Sequence, residues 1–414
     1  MKTKKYIRFG LVFLIPLAFT ISQCFHKAEP LVQTFNDPRG AAFAGTATCL
    51  KCHAKLTEDY LHTAHFATSA PTSAESVHGS FSPGSNSVSY DNNIIVIMEK
   101  NGDSIYQSNY VGGILIQKQP FDITFGHKQA ETYLYWRGKY IFELPVSYYN
   151  RLHQWAISPG LSAKGATYNR LIGETCFECH SSYIKQIPPD ENEMRVKIVG
   201  LERGSMLLGI DCERCHGGAT QHVNYQTQNP NDKTPKFITK ISSLSRAQRT
   251  DLCGQCHSGI NPYIISTFDF KPGDTLSHYM APKTAAQVPD YKRIDVHGNQ
   301  VGLLTASQCF IKGKIECGTC HNTHNNQVQS VKMVSLICTN CHSEAKHNFC
   351  KMAGQLGQVI NSNCIDCHMP VKTSSSIVLR GTGDKTNYPF IARMHRIAIY
   401  PEETKKVEAM LGVK

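Results

Sequence analysis

Fourteen of the 17 cysteines fall in seven copies of one pattern, Cys-x-x-Cys-His. The copies are Cys49/Cys52/His53, Cys176/Cys179/His180, Cys212/Cys215/His216, Cys253/Cys256/His257, Cys317/Cys320/His321, Cys338/Cys341/His342 and Cys364/Cys367/His368. Random placement of this composition gives roughly 0.03 copies per chain. Two thiols one helical turn apart can add to the two vinyl groups of one haem, forming two thioethers. The histidine that follows then stands over the iron as its proximal ligand. Zinc is the competing reading, because paired CxxC units build zinc ribbons. Such ribbons do not require a histidine after every second cysteine, and seven is an odd number of half-sites. The spacing therefore predicts seven haems c, with iron on His53, His180, His216, His257, His321, His342 and His368.

Twelve histidines lie outside the motifs, enough to cap all seven irons. Local context selects His65, His222, His297, His324, His347 and His395 as distal ligands. His222 and His347 follow a motif by a few residues, so each leaves one haem for a neighbour. His127 is the seventh choice, against competition from His62, His153 and His278. His62 lies three residues from His65 on one helical face, which crowds the pair. His26 and His78 sit in loop-like sequence and are expected to be bystanders, and Met369 to be packing. Mainly bis-His, low-spin irons are expected.

Three cysteines remain. Residues 1–8 carry four positive charges, and a 13-residue apolar run over 9–21 follows, too short to cross a membrane comfortably. The stretch Ile21-Ser22-Gln23-Cys24 then resembles a bacterial lipoprotein box, with Gln23 departing from the usual small residue. Residues 1–23 are read as a signal peptide and Cys24 as the lipid-accepting residue; cleavage near Ser22 and an uncleaved anchor stay open. All three readings export the chain, to the periplasm or outer membrane. Cys309 and Cys350 either pair or are buried singly.

The motif cysteines are unevenly spread: one motif, a haem-free insert, then six motifs. Within the insert, alternating runs such as NIIVIMEK and TYLYWRGKYIFELPVSYY are punctuated by Asn101-Gly102-Asp103, Gly112-Gly113 and Arg137-Gly138. The expected organisation is a first haem segment and loop over 24–87, a small antiparallel β subdomain over 88–150, and a six-haem region over 151–414. The fold class expected is mainly α, with short helices and loops packed around haems, and the β subdomain inserted near the N-terminus. Residues 242–249 read as a capped helix start leading into CGQCH.

With 41% hydrophobic residues, 18 Tyr and 18 Phe, a disordered chain is excluded. The formal charge of +11 falls to about +7 without the first segment. Fourteen haem propionates, offset by one positive charge on each of seven oxidised iron porphyrin cores, bring the oxidised holoprotein to about zero, which argues against a nucleic-acid partner.

Several segments carry a family resemblance. TATCLKCHAKLTEDYLHTAHFATS and GIDCERCHGGATQHV resemble the first and the recurrent haem segments of the cytochrome c-554 group, which is related more loosely to hydroxylamine oxidoreductase. ELPVSYYNRLHQWAISPG and CFIKGKIECGTCHNTH resemble bacterial multihaem relatives. The resemblance implies a multihaem c-type cytochrome from about residue 45 onward. Closely spaced motifs and plentiful histidine favour an electron relay serving redox partner proteins at the cell envelope, tethered through its lipid. The alternative is an oxidoreductase acting on a small nitrogen or sulfur compound at one iron with an open axial site. No C-x-x-C-Lys occurs, so the lysine-ligated iron of pentahaem nitrite reductases is absent. An electron carrier is expected over a catalyst.

Overall fold

The computed structural model describes residues 34–189, 199–259, 261–281, 294–326, 330–346, 349–381 and 387–410. The expected signal peptide, the lipid site Cys24, and His26 and His347 lie outside the described residues. No described helix is long and apolar enough to cross a membrane.

The first half is built on strands. A four-stranded antiparallel sheet comprises β2 (Ser87–Ser89), β3 (Ile94–Asn101), β4 (Ser104–Val111) and β5 (Ile114–Pro120). Two-residue loops join β3 to β4 and β4 to β5, and Gly102, Gly112 and Gly113 take the positive φ that such tight turns need. A nine-stranded antiparallel sheet lies beside it. Its path runs β1 (Ser69–Pro71), β6 (Ile123–Phe125), β7 (Ala130–Arg137), β9 (Val146–Tyr149) and β10 (Gln154–Ile157). β8 (Tyr140–Glu143) pairs with the far end of β7, and β11 (Arg170–Ile172) with β8. Two short ribbons follow, β12 (Ser181–Tyr183) with β15 (Leu207–Leu208), and β13 (Gln186–Ile187) with β14 (Gly200–Leu201). The nine-stranded sheet is completed from far along the chain by the hairpin β16 (Val371–Arg380) and β17 (Asn387–Arg393), where Arg380 pairs with Ile157.

These strands correct the expected fold class. Strands take 24% of residues against 32% for helices of every kind, so the chain is not mainly α. The β material is also not a small insert: it begins at Ser69, continues to Ile172 and recruits a hairpin from beyond the last motif. Strands of three residues, such as β1, β6 and β11, carry too little alternation to show in sequence, and the pairing of β10 with β16 is non-local.

Side chains from the two sheets form a dry core. Val88, Val96, Met98, Tyr133, Tyr135, Leu144 and Trp155 are buried together, with Val96, Met98, Tyr133 and Tyr135 wholly inaccessible. Gln107 stitches the sheets: its amide donates to the Val146 carbonyl (2.6 Å) and accepts from the Val146 N–H (3.1 Å). A second cluster, with Ile123, Leu134, Ile141, Phe177 and Ile184, continues toward the Cys176 motif.

Beyond this core lie short helices that carry the motifs: Thr46–Leu50, Glu174–His180, Cys212–His216, Arg246–His257, Cys317–Cys320, Val331–Thr339 and Ile365–His368. The helix at Arg246 starts with the expected cap: the Gln248 N–H donates to Ser245 Oγ, and the Ser245 N–H to Gln248 Oε1.

Candidate functional site

Charged residues inside the motifs tie the motif helices to one another. Glu213, within CERCH, is buried and accepts the N–H groups of Ala44, Gly45 and Ala219, each at 2.8 Å. Arg39 bridges Glu213 (3.1 Å), Asp211 (2.7 Å) and Asp37 (2.9 Å). The first motif is thereby locked to the third. Glu178, within CFECH, accepts from the Thr267 hydroxyl (2.7 Å) and N–H (3.1 Å), while Arg214 donates to the Thr267 and Glu178 carbonyls. Arg249 pairs with Glu316 (2.6 Å), and Arg393 with Asp366 (2.8 Å). Buried charges persist when paired and hydrogen-bonded, as Glu178, Asp211, Glu213 and Arg214 are.

The same locking brings thiols of different motifs together. Cys49 lies within hydrogen-bond reach of Cys212, Cys179 of Cys256, Cys253 of Cys317, and Cys338 of Cys364. No disulfide joins described residues, and Cys309 and Cys350 are both free thiols.

The expected attachment thiols are not all enclosed alike. Cys52, Cys176 and Cys341 are exposed, whereas the other motif thiols are half-buried. Sequence spacing treats the two cysteines of a motif as equivalent, and at the first and sixth motifs the fold separates them. Cys49 and Cys338 sit on the helices Thr46–Leu50 and Val331–Thr339, while Cys52 and Cys341 fall in the turns just beyond the ends of those helices. The proximal candidates beside them, His53 and His342, are exposed as well. A turn at a helix end leaves its side chains outside the packed face, which is the physical reason for the difference.

Histidines face each other across the motif region. The ring centres of His53 and His222 are 6.4 Å apart, those of His216 and His324 6.0 Å, those of His65 and His257 6.1 Å, and those of His321 and His395 6.2 Å. An imidazole nitrogen sits about 2.0–2.1 Å from a transition metal. Two imidazoles on opposite sides of one ion therefore have ring centres about 6.4 Å apart. Each pair joins a motif histidine to a non-motif one. His297 lies near His180, whose ring stacks on Phe125 at 4.6 Å.

Hydrogen bonds fix the tautomers. Carbonyls accept from Nδ1 of His216 (Thr239, 2.8 Å), His222 (Lys236, 2.8 Å), His368 (Ala398, 2.8 Å) and His395 (Arg393, 3.0 Å). A carbonyl can only accept, so Nδ1 carries the proton and the Nε2 lone pair is left for a metal. Burial pushes the His65 pKa down to about 4 and also lowers those of His180, His257, His324 and His395. These imidazoles are thus kept neutral, as ligation requires.

His65 shows how tightly such a ring is placed. The Ile210 N–H donates to its carbonyl (3.0 Å), and Gly209 passes so close that a Cβ there would lie 2.2 Å from the Phe66 oxygen. Beside His321, a cavity of about 360 Å³ is lined by Cys320, Met333, Val334, Leu336 and Ile337. Met333 and Leu336 are about half exposed there, an apolar wall suited to a flat porphyrin. Vicinal thiols, opposed neutral imidazoles and apolar walls all fit haem c.

Other expected residues lie elsewhere. The His127 ring is packed against His78 at 4.7 Å and near Glu131 (3.5 Å). His62, His153 and His278 are exposed, and Met369 is half-buried. Sequence reasoning missed Arg39, Glu178, Glu213 and Arg214. The available signal was a charged residue at the variable positions of two motifs.

No family model matches the chain. In sequence it is 23% identical over 169 residues to "Multiheme cytochrome MtrA" of Shewanella baltica, an alignment covering 40% of this chain and 37% of that protein. The match thus spans little over a third of the curated relative. In fold it is similar to the crystal structure of outer cell wall cytochrome OcwA, with a TM-score of 0.54 and 16% identity, over 88% of this chain and 81% of the other. Seven Cys-x-x-Cys-His motifs, opposed imidazoles and these two likenesses together support a multihaem c-type cytochrome.

Proposed function

We propose that this is an exported seven-haem c-type cytochrome, akin to the cytochrome c-554 group, that relays electrons between redox proteins at the bacterial cell envelope, tethered through Cys24. The observation that carries the reading is the set of opposed imidazole pairs: a haem iron held by both imidazoles of a pair would keep no open position for substrate. Bound haem c supplies a one-electron iron couple at each motif.

The residues divide the work. The paired cysteines of each motif hold the porphyrin, including the exposed Cys52, Cys176 and Cys341, and His53, His180, His216, His257, His321, His342 and His368 serve as proximal ligands. As distal ligands we assign His222 opposite His53, His324 opposite His216, His65 opposite His257, His395 opposite His321, and His297 opposite His180. His347, five residues beyond His342, keeps its place as a further candidate. Neighbouring thiols suggest an order of transfer. Cys49 meets Cys212, Cys215 faces Cys256, Cys253 meets Cys317, Cys320 faces Cys338, and Cys338 meets Cys364. The path then runs first, third, fourth, fifth, sixth and seventh motif, with the second joining at the fourth through Cys179 and Cys256.

The test is an EPR and optical spectrum of the oxidised holoprotein, with its mass. Seven haem masses and mainly low-spin signals unchanged by nitrite, hydroxylamine or sulfite are expected. Rapid turnover of one of these at a single high-spin haem would replace the relay with the oxidoreductase reading.

A further inference from the structure

Away from the opposed imidazole pairs, at the edge of the β region, three metal-binding side chains converge. One ring nitrogen of His78, one of His127 and a carboxylate oxygen of Glu131 all lie within 4.8 Å of one another. Both rings aim at the same oxygen: His78 Nδ1 contacts Glu131 Oε1, and His127 Nδ1 is 3.5 Å from it. We propose that His78, His127 and Glu131 form a non-haem site for a divalent transition-metal ion of the zinc class, separate from the seven haem irons.

Glu131 is wholly buried on β7, a costly place for a carboxylate without compensation. Its other oxygen is already used, accepting from the Tyr133 hydroxyl (2.6 Å) and the His78 N–H (3.2 Å). These bonds orient Oε1 toward the two rings, the arrangement by which outer partners aim a metal-ligating carboxylate. The two rings converge on a single oxygen with their centres 4.7 Å apart. Two imidazole nitrogens and one carboxylate oxygen are a donor set for zinc and its neighbours.

The spacing is close to what an ion needs. With ligand bonds of about 2.0–2.2 Å, tetrahedral donors lie about 3.4 Å apart. The His127 to Glu131 separation matches, and His78 needs a small ring rotation to open its contact. Nearly half of each histidine side chain is exposed, 47% for His78 and 45% for His127, so the ion has an entry path and room for water in the fourth position.

All three ligands are anchored by their neighbours. Val77 is buried in the main core, and Gly79 packs against the Trp155 ring, where a Cβ would lie 2.1 Å from it, so His78 is held on both sides. The His127 carbonyl accepts from the Asn150 amide (2.5 Å), and Gly126 before it takes φ +77. Glu131 pairs across the sheet with Tyr148. Supported ligands on strands and tight turns are what a preformed site requires.

Holoprotein stripped with a chelator is titrated with Zn²⁺ by calorimetry, and metal content is then measured against haem iron. One Zn²⁺ per chain is expected in addition to the haem irons. His127→Ala and Glu131→Gln should each weaken that site at least tenfold, with His153→Ala, at an exposed histidine, unchanged. His127→Ala keeps the test alive if the buried Glu131 variant fails to fold. The haem spectrum of His127→Ala should match the parent. Equal Zn²⁺ affinity in parent and His127→Ala, or no saturable binding, would overturn the site. A new high-spin haem in His127→Ala would also overturn it and make His127 a distal haem ligand. The pairs His222–His53, His324–His216, His65–His257 and His395–His321 stand whichever way this outcome falls.

Discussion

The β half and the motif half of the molecule are held together by different materials. Between β1 and β11, large side chains meet one another: Trp155 is ringed by Phe81, Phe121, Tyr133 and Tyr148 at 5.2–6.4 Å, and its indole N–H donates to the Ser80 carbonyl. Open apolar groups in the β half lie mainly on the edge strand β5, at Ile114 and Ile116. Around the motifs, by contrast, buried apolar residues such as Leu303, Val334 and Ile365 join none of the core clusters, and Leu56, Ile311 and Met333 stand 47%, 59% and 53% exposed. Polar ties through Arg39, Glu178 and Glu213 position the motif helices there, but supply little apolar burial. One half closes on itself; the other is shaped to close on flat apolar cofactors.

The widest break in that comparison comes from withholding haem. In chain produced without haem attachment, amide exchange should reach full rate across the motif helices from Cys212 to His368, while β3, β4 and β7 stay protected. Equal protection in both halves would mean that the motif region has a core of its own. A smaller effect is expected from Trp155→Ala. Its cost should be about 3–5 kcal/mol, read by denaturant unfolding, with the haem spectrum of the folded protein unchanged. A changed spectrum would show that the two halves are coupled.

His395→Ala should touch one iron. A single low-spin haem is expected to become high-spin, with every thioether intact by mass, because the ring opposite His321 is removed. An unchanged spectrum would remove His395 from the ligands.

The smallest effect concerns the seam between the halves. Asp295 accepts from the His297 N–H (2.8 Å) and the hydroxyls of Ser374 (2.8 Å) and Ser375 (2.7 Å), pinning the His297 loop to β16. Burial raises its pKa, but these hydrogen bonds win and hold it at about 2, below the ordinary 3.8. A depressed carboxyl stabilises the fold above its unfolded value and loses that contribution as pH falls. Asp295→Asn should therefore flatten the part of the acid-unfolding curve between about pH 4 and 2. An acid limb identical to that of the parent would show that the seam carries no weight.

Legibility followed the range of the interactions. The motifs and the β3–β4, β4–β5 and β7–β8 hairpins were readable because each is written within a few residues. The β7–β8 loop falls at Gly138-Lys139, one residue later than Arg137-Gly138 suggested. Histidine context picked out His65, His222, His324 and His395, which the structure sets opposite motif rings, but offered no means of matching partners. Nor could motif spacing tell the half-buried Cys49 and Cys338 from the exposed Cys52 and Cys341, because that depends on where each short helix stops. His127 was chosen for its place at the β edge, without sight of His78 and Glu131, which reach it through folding. The mainly α expectation failed because helix signals around the motifs are local, whereas β10 meets β16 only after the intervening chain has folded back.

That last pairing has a bearing on how the protein is made. Ile157 finds its partner Arg380 only after all seven motifs have emerged, so β10 must wait with its hydrogen-bonding edge uncovered. An open edge is a template for other chains. The interval during which haems are attached is therefore also the interval in which the sheet is most exposed to wrong partners. Slow cofactor delivery would then show itself first as aggregation through the β half, far from the sites where the cofactor is missing.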